Sequence, residues 1–433
     1  MSTKKRYTVA RSLAMLALVS VQAGCSRVDE DARTPVKTPP PITLTALVWA
    51  PDWPDEMHQI AAEFTQAHPQ IRVEVQFMIG NSVEENIKPK VASNKLPDLL
   101  SVNPNAYAAD LADQGLLADV SQSPVWGNML DSLKADWTSR KNKPYGISGG
   151  VAATLMYYNQ RMFQQAGITT LPTNFDEFLQ VCEQLKKAGF TPLMWNGGFP
   201  NMLGNGPFSF GFANNVVAQQ ANWKQQISDG SLDLNTPQTA DIFAKIKLMA
   251  QRGYVQKGYL STNYDDGITL FTEGKTAMAF HGTWASGRLM NGQGFKTGIF
   301  VPPWNAPDKQ VVPVIGSETG FAVGETPHKQ AALQFLAFIY GKGFSIYQNK
   351  RQNMAPLKQV QGRVVADPQI TQYIQSVAQF PVTASPYYSF LPASTIELLH
   401  PLMQDVLAGK VTAQQAASKL DASIKTEARQ NNK

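Results

Sequence analysis

The sequence predicts an α/β protein of two units, each built on a sheet with helices packed against it. Three observations carry this reading. A β-α-β alternation begins at Ile42, and a second α/β region begins near Val151. The chain's 433 residues, 43% of them hydrophobic and 16% charged, are enough for two ordinary domains with cores of their own. No repeat of 20 to 50 residues occurs, which excludes solenoids and propellers.

Ile42 to Trp49 reads as an apolar strand, and Asp52 to Asp55, with two prolines and a tryptophan, reads as a loop. Met57, Ile60, Ala61, Phe64 and Ala67 follow helical spacing until His68 and Pro69 stop it. Ile71, Val73, Val75 and Phe77 alternate with polar residues as a half-buried strand does. After another helix, Leu99 to Val102 forms a short strand that runs into the turn Asn103-Pro104-Asn105. Strands alternating with helices imply a mainly parallel sheet. In the second region Val151 to Tyr158 is a strand, and Thr173 with Asp176 suggests a capping box that opens a helix ending at Gly189. Thr276 to Phe280 reads as a strand, and Gly316 to Val323 passes through a glycine-bracketed loop into another. Helices at Lys329 to Tyr340 and Ile396 to Leu407 close the chain.

Ahead of Ile42 the pattern is that of an export leader. Residues 1–24 carry a basic start, a short apolar run from Leu13 to Val21, and Ala23-Gly24 before Cys25. This resembles the bacterial lipobox, in which the cysteine is diacylated, although Gln22 stands where that motif prefers leucine. Residues 25–41, rich in proline and charge, form a tether with almost nothing to bury. Lipidation of Cys25 leaves Cys182 alone, on the apolar face that Phe178 and Leu185 share, as a buried structural thiol. No later stretch is apolar enough for a membrane span.

The formal charge of +5 falls to +1 when Lys4, Lys5, Arg6 and Arg11 of the leader are removed. No basic stripe follows, so nucleic acid is not an expected partner. Catalytic signatures are missing too. His58, His68, His281, His328 and His400 show no HExxH or paired-ligand spacing, and no GxSxG occurs. Gly274-Lys275-Thr276 ends like a phosphate-binding loop, but Thr269 stands where that loop needs glycine. Asp265 and Asp266 are adjacent and suit a glycosidase pair poorly. No catalytic residue, metal ligand or cofactor is expected.

Aromatic placement is more telling. Trp49, Trp53, Trp195, Trp284 and Trp304 fall at or near strand ends and loops. A sugar ring presents an apolar C–H face that lies flat on indole, while its hydroxyls need polar partners around the rim. Trp49, inside an apolar strand, reads as core. Trp53 and Trp284 have polar or helix-breaking neighbours among which a buried indole packs poorly.

Lys143-Pro144-Tyr145-Gly146, followed by Leu155-Met156-Tyr157-Tyr158-Asn159, resembles the family 1 extracellular solute-binding proteins, the group similar to the maltodextrin-binding protein. Leu96 to Leu100, Pro172 to Leu185, Phe271 to Trp284 and Gly409 to Leu420 follow that family's order. The resemblance implies the two-lobed periplasmic-binding-protein fold of type II, with a hinge and an interlobe cleft. It places one lobe at 42–150 plus 296–351 and the other at 151–295 plus 352–433. It implies capture of a mono- or oligosaccharide, delivery to the permease subunits of an ABC transporter, a monomer, and no enzymatic activity. Trp284 matches the sugar-stacking tryptophan, and Asp52 and Trp53 match the loop after the first strand. Asn103 and Asn105 fall at a strand's carboxyl end, where open α/β sheets bind ligands. Glu318 stands where members often have small residues, as either a ligand contact or a surface charge. The alternatives are a glycerol phosphodiester or polyol phosphate as ligand, which calls for clustered arginines, a sugar-sensing lipoprotein, and, more remotely, a polysaccharide-acting enzyme.

Overall fold

The computed structural model describes residues 40–80, 82–363 and 366–431. The leader, Cys25 and all but the end of the tether lie outside the described residues.

The first sheet has the order β2 (Ile71–Phe77), β1 (Ile42–Val48), β3 (Leu99–Val102) and β9 (Gly320–Val323). Strand β1 pairs in parallel with β2 and β3, and β9 returns antiparallel to β3 with Leu99 opposite Val323. Helix α1 (Pro54–Ala67) opens with Pro54 at its first turn and buries Met57, Ile60, Ala61 and Phe64, the face that its spacing foretold. Helix α2 (Val83–Ala92) is capped by Ser82, and α3 (Ala106–Asp113) by Asn105. The helix Lys329–Tyr340 covers the same core through Phe335, Leu336 and Ile339.

The second sheet has the order β5 (Leu193–Met194), β6 (Met278–Gly282), β4 (Val151–Asn159) and β7 (Thr297–Phe300), with β8 (Val314–Ser317) also on β4. The expectation of a mainly parallel sheet, drawn from the first β-α-β run, holds in the first sheet and does not extend to this one. Strand β4 is antiparallel to β6, β7 and β8, and only β5 runs parallel to its neighbour. Side chains alternate across β4, so Met156 enters one core while Leu155 and Tyr157 enter another on the opposite face. That double burial is why this strand reads as a continuous apolar run.

The domain boundaries expected from the resemblance also shift. Residues 297–317 carry β7 and β8, which pair with β4, so this segment belongs with the second sheet. The chain rejoins the first sheet only at β9. Local details differ as well. Helix α1 starts inside the expected loop, and β6 begins two residues later than expected. The helix Phe175–Lys187 is capped by Asn174, while Glu177, not Asp176, reaches back to Thr173. Asparagine accepts from the helix N–H groups as well as threonine does, and one residue of slip moves the whole box. Cys182 is fully buried beside Phe178 and Leu185, as the spacing predicts.

Candidate ligand-binding cleft

Between the two sheets lies a cleft that opens to solvent and is lined from both sides. The carboxyl end of β1 brings Trp49, Asp52 and Trp53 to it, β3 brings Asn103, and the first turn of α2 brings Glu84. Helices and turns packed on the other sheet contribute Phe199, Asn205, Tyr264, Trp284 and Tyr388. Glu318, Thr319 and Arg351 enter from segments that cross between the sheets.

Aromatic faces form much of the wall. Trp49 stacks on Phe199 across the cleft, with ring centroids 6.3 Å apart and planes 22° apart. Phe199 in turn meets the edge of Tyr264 at 5.5 Å. Trp284 is half-buried, with His281 at 5.8 Å. Gly282 is required here, because a Cβ at that position would lie 2.0 Å from the Trp284 ring.

The polar groups divide into those already satisfied and those left open. Asp52 accepts from the Tyr264 hydroxyl (2.6 Å) and pairs with Arg288 (3.0 Å), which also holds Asp265 at 2.6 Å. Burial pushes the Asp52 carboxyl above its ordinary range, and Tyr264 and Arg288 pull against that shift. Glu84 is 2% exposed, and its Oε1 accepts from Asn103 (3.0 Å) and Asn105 (2.7 Å). Its Oε2 is buried and has no hydrogen-bond partner among the described residues. Burial pushes Glu84 up also, with the two asparagines opposing. Asn205 Oδ1 and Arg351 Nε are likewise buried and unpartnered. An unmet buried polar atom costs roughly 1–3 kcal/mol, so three on the residues of one cavity point to something that binds there. Among the described residues, no cluster of His, Cys, Asp or Glu is arranged to hold a metal ion.

Of the residues named from sequence, Asp52, Trp53, Asn103, Trp284 and Glu318 meet in this cavity. Trp53 does so while 6% exposed, packed against Tyr347 at 4.9 Å and Phe321 at 6.2 Å, so its neighbours do not prevent burial. Glu318 is no surface charge, being buried and paired with Arg351. Asn105 stands behind the wall, where it caps α3 and supports Glu84. Trp195 and Trp304 are core residues away from the cleft, packed against Tyr259 and against Phe175, respectively. Trp49, expected in the core, reaches the cavity because β1 ends one residue before it. Sequence reasoning missed Glu84, Phe199, Asn205, Tyr264, Tyr388 and Arg351. Glu84 had a legible signal, since it opens the helix after the carboxyl end of β2.

The family model for bacterial extracellular solute-binding protein matches residues 50–344. The multiple sugar-binding protein of Streptococcus mutans is 22% identical over 287 residues, covering 65% of this chain and 67% of that protein. The melibiose/raffinose/stachyose-binding protein of Bacillus subtilis is 22% identical over 346 residues, covering 77% of each. Among solved structures, a solute-binding protein in complex with raffinose superposes with a TM-score of 0.75 at 21% identity, covering 89% of this chain and 99% of that one. At that identity the likeness establishes the two-lobed fold.

Proposed function

The chain belongs to the bacterial extracellular solute-binding proteins, and from that premise we propose that its cleft captures a neutral oligosaccharide for delivery to an ABC importer. The family binds solutes outside the cytoplasm and releases them unchanged, so the protein is exported and is not an enzyme. One observation carries the ligand class. Aromatic faces at Trp49, Phe199, Tyr264 and Trp284 enclose the same space as three unmet polar atoms, Glu84 Oε2, Asn205 Oδ1 and Arg351 Nε. Flat apolar faces with acceptors and donors between them suit a sugar ring edged by hydroxyls.

Charge argues against a phosphate ligand. The Arg351 guanidinium is committed to Glu318, and Arg288 to Asp52 and Asp265. Among the described residues the Glu84 carboxyl is bonded to two asparagines and to no cation, so an anion entering the cavity would meet an acidic group in place of a positive one. The names of the relatives, which specify melibiose, raffinose, stachyose or multiple sugars, agree with a sugar ligand. We further propose that the protein acts as a monomer, held to the membrane through acylated Cys25 and docking on permease subunits.

A thermal-shift panel of raffinose, melibiose, stachyose, lactose, maltose and chitin oligosaccharides tests the reading, with glycerol phosphodiesters as the contrasting arm. A ligand at 100 times its Kd stabilises the native state by about 2.7 kcal/mol. A response to the phosphodiesters alone would refute the assignment.

A further inference from the structure

Among the described residues, three segments carry the chain between its sheets. Ile147 bridges to Phe321 of the first sheet, and after Gly149-Gly150 the chain enters β4. It leaves β8 through Glu318-Thr319 into β9. It leaves the helix Phe344–Arg351, whose Phe344 and Tyr347 sit in the first lobe's core, through Gln352-Asn353, and Met354 bridges to Val151 of β4.

One small set of side chains ties these three passages together. Glu318 and Arg351 form an ion pair in which both side chains are nearly fully buried. Arg351 Nη1 also donates to the Gly149 carbonyl (3.4 Å), to which the Tyr347 hydroxyl donates as well. Asn353 Nδ2 donates to Glu318 Oε2 (3.0 Å), and the Glu318 backbone N–H donates to the Gly150 carbonyl (3.2 Å). The fit leaves no slack, since a Cβ on Gly150 would lie 2.4 Å from Glu318 Oε2 and one on Gly149 would lie 2.2 Å from the Thr319 carbonyl oxygen. Both charged residues line the cleft, and Arg351 Nε is one of its unmet donors.

We infer that Glu318 and Arg351 are positioning residues that clasp the three crossing segments, fix the angle between the lobes, and set Arg351 Nε for a ligand oxygen. This extends the reading of the cleft as the capture site. Hinges are a few loop or element-terminal residues that absorb backbone rotation. Here each crossing is held by a bond to the same ion pair, so none rotates without straining the other two. A sugar oxygen that accepts from Arg351 Nε therefore bonds to the group that sets the lobe angle.

The test uses the purified full chain with spin labels on cysteines replacing exposed Lys95 and Lys187, one in each lobe, and reads the interlobe distance without ligand. Removing one partner strands a buried charge and endangers folding, whereas removing both is tolerated more often. The double variant Glu318→Gln with Arg351→Met is therefore measured beside each single variant. The double variant is expected to melt cooperatively and to show at least a twofold broader distance distribution than wild type. A distribution of wild-type width in a folded double variant overturns the clasp and leaves the pair a passive part of the core. Adding raffinose separates the two ideas. Wild type that ignores every sugar counts against the cleft reading, while the ligand-free width still decides the clasp.

Discussion

Replacing Glu84 with glutamine should weaken sugar binding without weakening the fold. The substitution keeps a carbonyl that can accept from Asn103 and Asn105, and it puts an amide where the unmet Oε2 now lies. Downgrading two charge-assisted bonds to neutral ones costs about 1 kcal/mol each. Losing a carboxylate at a helix N-terminus costs about 0.5 kcal/mol more. Against this stands the burial of the charge. The Glu84 carboxyl is raised by desolvation, so its ionisation opposes folding as pH rises through the raised pKa and is no burden below the ordinary carboxylate range. A neutral amide avoids that burial penalty, which offsets the losses above the ordinary carboxylate range. Ligand-free stability should therefore stay within about 1 kcal/mol of wild type or rise. Binding has no such compensation. Hydrogen bonds to a charged group contribute about 1.5–3 kcal/mol, so Kd should rise by roughly tenfold to 150-fold. Calorimetric titration with the sugar chosen by the thermal-shift panel gives Kd, and urea unfolding of the free protein gives stability. Affinity within twofold of wild type together with a stability loss above about 2 kcal/mol would refute the reasoning, making Glu84 a structural brace.

Trp284→Ala should cost about 2 kcal/mol of binding, roughly thirtyfold in Kd, with a smaller effect on unfolding. Trp304→Ala should do the reverse, losing about 3–5 kcal/mol of stability from a 1%-exposed core site with binding near normal. The His400 ring, buried and bonded to the Tyr387 hydroxyl at 2.8 Å, is pushed down to about 4 by desolvation. Its stabilising effect is complete above the unfolded value near 6.5 and fades as pH falls towards 4, by roughly 3 kcal/mol in all. His400→Gln should flatten the melting profile between those limits, and an unchanged slope would remove His400 from the account. Cys25→Ala should move the protein from the membrane fraction to the soluble exported fraction with its sugar affinity intact. Wild type found wholly in the soluble fraction would show that Gln22 defeats acylation.

Much of the fold could be read from periodicity because that signal is local. The alternation over Ile71–Phe77, the helical spacing from Met57 to Phe64 and the unbroken apolar run of β4 each correspond to the expected element. The pairing of β7 and β8 with β4 could not, because register between strands more than 130 residues apart leaves no trace in either sequence alone. The site divides similarly. Asp52 and Asn103 follow from the rule that places ligands at strand carboxyl ends. Trp195 and Trp304 fit the same aromatic pattern and are core, since composition cannot say which face of a loop an indole takes. Arg351 was hidden because its importance rests on Glu318, 33 residues earlier in the chain.

The late return of β9 bears on how the protein is made. Its first sheet is closed by pairing Leu99 with Val323, so that half of the molecule lacks an edge strand until three-quarters of the chain has been synthesised. Such distant contacts form slowly, because loop closure must precede any gain from packing. Until β9 is available, β3 has only β1 as a partner and its other edge stays open. The topology that carries the chain across one cleft and back thus also defers completion of the first sheet until most of the chain is available.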